Sequence, residues 1–292
     1  MTKEGKRYRD GYFTVRDGLR LHYRDYPGPL QAPPLLCLPG LTRNARDFAA
    51  FADRWSPQYR VLCLDFRGRG ESAFDPQPER YHPVSYAHDT IALLDHVGVA
   101  DAVFVGTSLG GIVTMLIAVL DEDRIAASIL NDVGPELSEV GLDRIRGFVG
   151  GRPQGYASWA EAALAVRSNQ CGLPAHWTPA NWEATARRLL SEREDGSIRY
   201  DYDPAIAEPF KRNPGPGADM WPMFDALARK PMLVVRGEHS DLLDAEALDA
   251  MARRSANVTT ATVTGYGHSP DLVEPESITA IDRFLAVLPP CE

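Results

Sequence analysis

The chain has 292 residues, of which 44% are hydrophobic and 24% charged, and its 40 acidic against 31 basic side chains give a net charge of −9. That is an ordinary globular composition, long enough to bury a substantial core, and the negative balance excludes nucleic acid and anionic membrane as expected partners because both would repel it. Small neutral substrates remain open.

Met1 to Asp10 is charged throughout and lacks the apolar stretch of a signal peptide, and no run elsewhere approaches membrane-spanning length. A cytoplasmic monomer or homodimer without a membrane partner is expected. Cys37 and Cys63 lie in apolar, strand-like runs, while Cys171 and Cys291 are isolated. With no C-x-x-C spacing, buried reduced thiols are expected rather than a disulfide, metal or redox site.

In chain order, Gly11 to Arg16 and Leu19 to Tyr23 alternate apolar and polar residues around Asp17-Gly18, which predicts an antiparallel hairpin. Pro34 to Leu38 is a short apolar strand closed by Pro39-Gly40, and Asn44 to Trp55 reads as a helix. Arg60 to Asp65 is another buried strand, and Ser85 to Val97 an amphipathic helix. Ala102 to Val105 then runs through Gly106-Thr107-Ser108-Leu109-Gly110 into the helical spacing of Ile112, Val113, Met115, Leu116 and Ile117. Ile125 to Leu130 is the next strand. Such alternation implies βαβ crossovers, a parallel sheet and active-site loops at the C-terminal ends of the strands.

From Val133 to Lys230 the pattern changes to helix-like segments at Gly141 to Val149, Ser158 to Val166, Asn181 to Ser191 and Ala218 to Ala228. Gly172 to Pro174 and Asn213 to Gly217 separate them. Residues 133–230 are read as a helical lid, leaving 1–132 and 231–292 as the core. Trp159, Trp177, Trp182 and Trp221 fall in the lid, either as its own core or as candidate pocket lining. Alternation resumes with a strand at Pro231 to Arg236, a helix at Asp244 to Arg254, a strand at Asn257 to Val263 and a final helix at Pro275 to Val287.

Ser108 stands at the apex of a strand–turn–helix, and a turn that sharp needs near side-chain-free positions two before and two after it, where Gly106 and Gly110 stand. A serine hydroxyl is a weak nucleophile unless a base takes its proton, and that base needs a carboxylate to fix its tautomer. His268, in the glycine-flanked loop after the last strand, is the best-placed base; His239 is the rival, while His88 and His96 lie in a helix and His22 in the hairpin. Asp241, after the penultimate strand, is the favoured acid. Asp132, after the strand that follows the serine's helix, is the alternative, otherwise read as capping the start of the lid; Glu238 is a weaker third. The oxyanion donors expected are the N–H groups of Leu109, directly after the serine, and Leu41, after Pro39-Gly40.

These features resemble the α/β-hydrolase fold superfamily. The likeness lies in the order Ser108, Asp241, His268, in the position of the insertion, and in Asp65-Phe66-Arg67-Gly68-Arg69-Gly70-Glu71-Ser72, which is similar to the family's D-x-R-G-x-G-x-S loop. It covers the chain from about Gly11 onward and implies a mostly parallel eight-stranded sheet flanked by helices, with a helical lid after the sixth strand. It further implies the serine-nucleophile branch, of esterase, lactonase or C–C hydrolase type. Pro39 departs from the His that many members carry there. Dehalogenases and epoxide hydrolases of this fold have Asp where Ser108 stands, which sets their chemistry aside. The function implied is hydrolysis of a small carboxylic ester or lactone through an acyl-Ser108 intermediate. The same triad would serve a C–C bond hydrolase of ring-cleavage products or a perhydrolase, and a non-catalytic small-molecule receptor is the alternative of another class. No cofactor is expected, and no metal, since no His/Asp cluster has ligand spacing.

Overall fold

The computed structural model describes residues 7–150, 155–169, 174, 176–209 and 219–288. The separators read at 172–173 and 213–217, and Cys171 and Cys291, lie outside the described residues. In chain order the strands are β1 (Arg9–Thr14), β2 (Arg20–Tyr26), β3 (Leu35–Leu38), β4 (Val61–Leu64), β5 (Ala102–Thr107), β6 (Ile125–Asn131), β7 (Leu190–Glu192), β8 (Ile198–Tyr200), β9 (Met232–Gly237) and β10 (Val258–Val263). The helices are α1 (Ala49–Trp55), α2 (Pro83–Val97), α3 (Leu109–Leu120), α4 (Glu139–Gly150), α5 (Trp159–Ser168), α6 (Pro179–Leu189), α7 (Trp221–Leu227), α8 (Ala245–Arg254) and α9 (Pro275–Ala286).

Eight strands form one sheet in the order β1-β2-β4-β3-β5-β6-β9-β10. The β1–β2 hairpin is antiparallel and β2 meets β4 antiparallel, whereas β4, β3, β5, β6, β9 and β10 run parallel. β3, β4 and β5 are buried along their whole length, as the continuous apolar runs in the sequence require of strands covered on both faces. Alternate residues serve opposite layers. Leu36, Leu62, Phe104 and Val234 pack toward α2, α3, α7 and α8, while Leu35, Val103, Val105 and Val235 pack toward α1 and α9. Cys37 and Cys63 are buried, free and paired in register across β3 and β4. Among the described residues no helix is long and apolar enough to cross a membrane.

Between β6 and β9 lie α4, α5, α6, the two-stranded β7–β8 hairpin and α7. The hairpin is a departure from the sequence reading, which ran the third helix on to Ser191. Here α6 stops at Leu189, its successor Leu190 is extended, and the chain turns through Gly196 at φ +76°. Asn44 to Trp55, read as one helix, is a 3₁₀ turn over Ala45–Phe48 followed by α1.

The loop after β4 fastens several parts together. The Asp65 carboxylate accepts the N–H groups of Ala45 (2.5 Å) and Glu71 (3.0 Å) and meets His22 Nδ1 at 2.7 Å. Gly70, at φ +53°, has no room for a Cβ beside that carboxylate. Arg67 donates to both oxygens of Asp89 at 2.6 and 2.7 Å and to Asp75 at 2.6 Å, and these charge-assisted hydrogen bonds stabilise its charged form and raise its pKa against the opposing cost of burial. Arg69, fully buried, donates from Nε to the carbonyl of Leu41 at 2.9 Å and thereby braces the loop that follows β3. Backbone bonds from Gly70 to Asp201 (3.0 Å) and from Asp203 to Gly68 (2.7 Å) tie the same loop to the segment after β8.

Candidate active site

β5 delivers Ser108 into a turn at φ 51°, ψ −115°, a region that costs a non-glycine residue on the order of 1–3 kcal/mol. The surrounding packing holds it there. A Cβ on Gly106 would come within 2.6 Å of the Gly110 backbone, and one on Gly110 would collide with the Leu38 carbonyl, so both glycines are steric requirements of the turn. Ser108 caps the N-terminus of α3, where the first N–H groups of a helix have no intrahelical acceptor and favour negative charge.

In the register of the sheet Thr107 pairs with Asn131, so the residues that follow, Ser108 and Asp132, emerge side by side, and Ser108 N–H donates to the Asn131 carbonyl at 3.0 Å. The loop after β10 then brings His268 across β9. It can lie that close because Gly237 has no side chain to strike the Tyr266 and Gly267 carbonyls. Asn131 Nδ2 holds the loop by donating to Pro270 O at 2.8 Å.

His268 Nε2 stands 3.0 Å from Ser108 Oγ, and His268 Nδ1 stands 2.7 Å from Asp132 Oδ2. The expectation that Asp241 orients the histidine is therefore corrected. Asp241 faces Arg144 of α4, whose Nε and Nη2 meet its two oxygens at 2.5 and 2.9 Å, and the carboxylate at His268 is that of Asp132. The physical reason is the length of chain between strand and acid. Asp132 directly follows β6, the strand beside the serine's, whereas Asp241 lies four residues past the end of β9 on a loop that turns toward α4. Asp132 is fully buried at φ 58°, and its remaining acceptor capacity is filled by Gly237 N–H at 2.9 Å and Ser240 Oγ at 2.7 Å. Ser240, which the sequence reading did not single out, thus joins the two loops.

The other candidates lie elsewhere. His239 is exposed beside Glu238, which accepts Gly265 N–H at 2.8 Å. His88 and His96 are exposed on α2, and His22 is buried between Asp65 and Asp10.

A cleft opens over Ser108 and His268, walled by Gly40, Leu41, Ile145, Val149, Leu189 and Tyr200. A Cβ on Gly40 would sit 3.7 Å from Ser108 Cβ, so the Gly40–Leu41 peptide runs alongside the serine, and Leu109 begins α3 on the other side. A second, smaller cleft shares His268, Ser269 and Arg43 with the first and is lined by Trp177, Trp182 and Tyr266. Of the four tryptophans named as candidate lining, Trp177 and Trp182 face this space. Trp159 lies under the Arg187 guanidinium, and Trp221 donates to Glu136 at 2.7 Å with Arg254 over its ring; neither lines the two clefts, and both pack against the hydrophobic core, the first of the two roles expected of them. Burial pushes the Tyr266 phenol up to about 12, and Trp177 Nε1 donates to its oxygen at 3.2 Å.

A parallel sheet with a serine on such a turn, a histidine on the loop after its last strand and a buried carboxylate behind it define a hydrolase of α/β fold. A model of the alpha/beta hydrolase family matches residues 35–280, and the chain belongs to that family. Among its relatives is a 3-hydroxybutyrate-oligomer hydrolase of Cupriavidus necator, 32% identical over 91% of this chain and 92% of the relative. Another is a 2-(acetamidomethylene)succinate hydrolase of Mesorhizobium japonicum, 28% identical over 87% and 88%. The crystal structure of an alpha/beta hydrolase from Novosphingobium aromaticivorans superposes with a TM-score of 0.90 at 48% identity, covering 96% of this chain and 98% of that one.

Proposed function

We propose that the protein is a serine hydrolase that cleaves a small carboxylic ester or lactone, with residues 133–230 acting as a cap over the site. The observation that carries this reading is the unbroken hydrogen-bonded line from Ser108 through His268 to buried Asp132 at the floor of the cleft. Ser108 Oγ attacks the ester carbonyl carbon while His268 Nε2 takes its proton. The carbonyl π pair becomes an oxyanion held by the N–H groups of Leu41 and Leu109, each worth about 3 kcal/mol of transition-state stabilisation. As the tetrahedral adduct collapses, the ester C–O bond breaks and the leaving alkoxide receives the proton from His268. Water, deprotonated by His268, then attacks the acyl-serine, and Ser108 departs reprotonated with the acid as second product. Asp132 keeps the histidine in the tautomer that carries its proton on Nδ1.

The name of the Cupriavidus necator relative favours an ester of a hydroxy acid over a C–C bond as the scissile group. A panel of p-nitrophenyl esters of graded acyl length tests the proposal. Turnover is expected with short acyl chains, together with covalent labelling of Ser108 by a fluorophosphonate, and both are lost in Ser108→Ala with folding intact. Turnover by that variant overturns the nucleophile, and negligible rates across the panel favour the receptor reading instead.

A further inference from the structure

Arg43 has an arrangement that the reaction above does not use. Its N–H donates to the Gly40 carbonyl at 3.1 Å, closing the turn that presents Leu41, and its Cγ lies 3.3 Å from the place of a Gly40 Cβ that is itself 3.7 Å from Ser108 Cβ. The side chain therefore starts beside the nucleophile, and it lines both clefts, which share His268. Only Nη1 is engaged, at 3.0 Å from each oxygen of Asp47; its Nε and Nη2 have no acceptor among the described residues. That leaves the Nε/Nη2 edge, the planar fork whose two parallel N–H groups match a carboxylate.

The neighbouring cations each have a carboxylate partner. Arg144 turns its own Nε and Nη2 onto Asp241, and Arg188 holds Asp271 at 3.0 and 3.2 Å while approaching Asp47 at 3.8 Å. Arg43, Arg144 and Arg188 thus face Asp47, Asp241 and Asp271, and the local charge balances. Arg188 also leaves its Nε without a hydrogen-bond acceptor, but that atom is buried and Arg188 lines neither cleft; what distinguishes Arg43 is an unused pair of donors on a side chain that lines both, with Asp47 holding the guanidinium in place.

We propose that Arg43 is a specificity-determining residue that binds a free carboxylate on the substrate, so that the preferred ester is anionic. This rests on the ester-hydrolase reading above. The test uses the wild-type chain with two substrate pairs that have one scissile ester each: monoethyl succinate, with its carboxylate on the acyl side, and 3-acetoxybutyrate, with its carboxylate on the alcohol side, each compared with its carboxamide. For at least one pair the acid is expected to exceed the amide roughly 10- to 100-fold in kcat/KM, as charge-assisted hydrogen bonds give. Arg43→Met should collapse that ratio toward unity, mainly through KM of the anionic member, and Arg43→Lys should keep part of it. An independent measurement on the wild-type chain is inhibition of nitrophenyl-ester hydrolysis, where a free short carboxylate should compete and its amide should not. If nitrophenyl esters are hydrolysed and neither pair nor inhibitor shows a preference for the acid, or if Arg43→Met folds and keeps the ratio, this inference is overturned. Absence of turnover with every ester would instead overturn the hydrolase reading.

Discussion

Replacing Asp132 and Asp241 by asparagine, one at a time, separates the two carboxylates. Asp132 is fully buried and accepts three hydrogen bonds, with Oδ1 taking Gly237 N–H and Oδ2 taking Ser240 Oγ and His268 Nδ1. An asparagine that keeps its oxygen on Gly237 must turn its NH₂ group toward His268, which fixes the histidine proton on Nε2, where it cannot accept the proton of Ser108. The corresponding change in a serine protease triad lowers kcat on the order of 10⁴-fold, about 5 kcal/mol of barrier, and a loss of that size is expected for Asp132→Asn. Asp241 sits in a partly exposed pair, with side-chain exposures of 17% for itself and 30% for Arg144, the kind of contact worth about 1 kcal/mol or less. Asp241→Asn should therefore shift the melting temperature by roughly 2–4 °C and leave kcat within about tenfold of the wild type. Steady-state hydrolysis of a short p-nitrophenyl ester at pH 8, with thermal melts to establish folding, measures both. The assignment of the acid is wrong if Asp241→Asn is crippled while Asp132→Asn keeps a tenth or more of the wild-type rate.

Gly110→Ala drives a methyl group into the Leu38 carbonyl, an overpacking against backbone expected to cost about 3 kcal/mol or more and roughly 6–12 °C in melting temperature; an unchanged melt would refute the steric requirement at this position. His22 supplies a pH effect. Burial opposes its charging, but the hydrogen bonds and charges of Asp65 and Asp10 outweigh burial and raise its pKa above 6.5. The stabilisation from its cation is therefore fully present below about pH 6.5 and fades as pH climbs through the raised value. The gap in urea midpoint between the wild type and His22→Gln should narrow with rising pH over that interval, and a gap that widens would contradict the sign.

The serine's surroundings were legible because every requirement of that turn is local: strand, two glycines at fixed offsets, helix. The histidine was legible because a glycine-flanked loop after the last strand has few other places to go. The choice of acid was not, since both aspartates follow strand ends and the decision belongs to the order of strands in the sheet, which no local pattern records. One signal pointed the right way: Asp132 has no intervening residues in which to wander from β6, whereas Asp241 has a loop. The β7–β8 hairpin escaped because three-residue strands are too short for alternation to register, although Asp195-Gly196 is a turn dipeptide. The tryptophans were ambiguous for another reason. Large aromatic rings serve a small core and a binding cleft equally well, and only docking of α5, α6 and α7 separates Trp177 and Trp182 from Trp159 and Trp221.

The tip of β6 has a consequence for precision. Asn131 receives the backbone N–H of the serine through its carbonyl and clasps Pro270 with its amide, while its neighbour Asp132 holds the imidazole. Two distant stretches of chain, the turn at Ser108 and the loop from His268 to Pro270, are thus both surveyed from one common datum, two residues wide. Positional errors in such a layout do not add from loop to loop, and when that tip vibrates, the partners ride with it and keep their spacing.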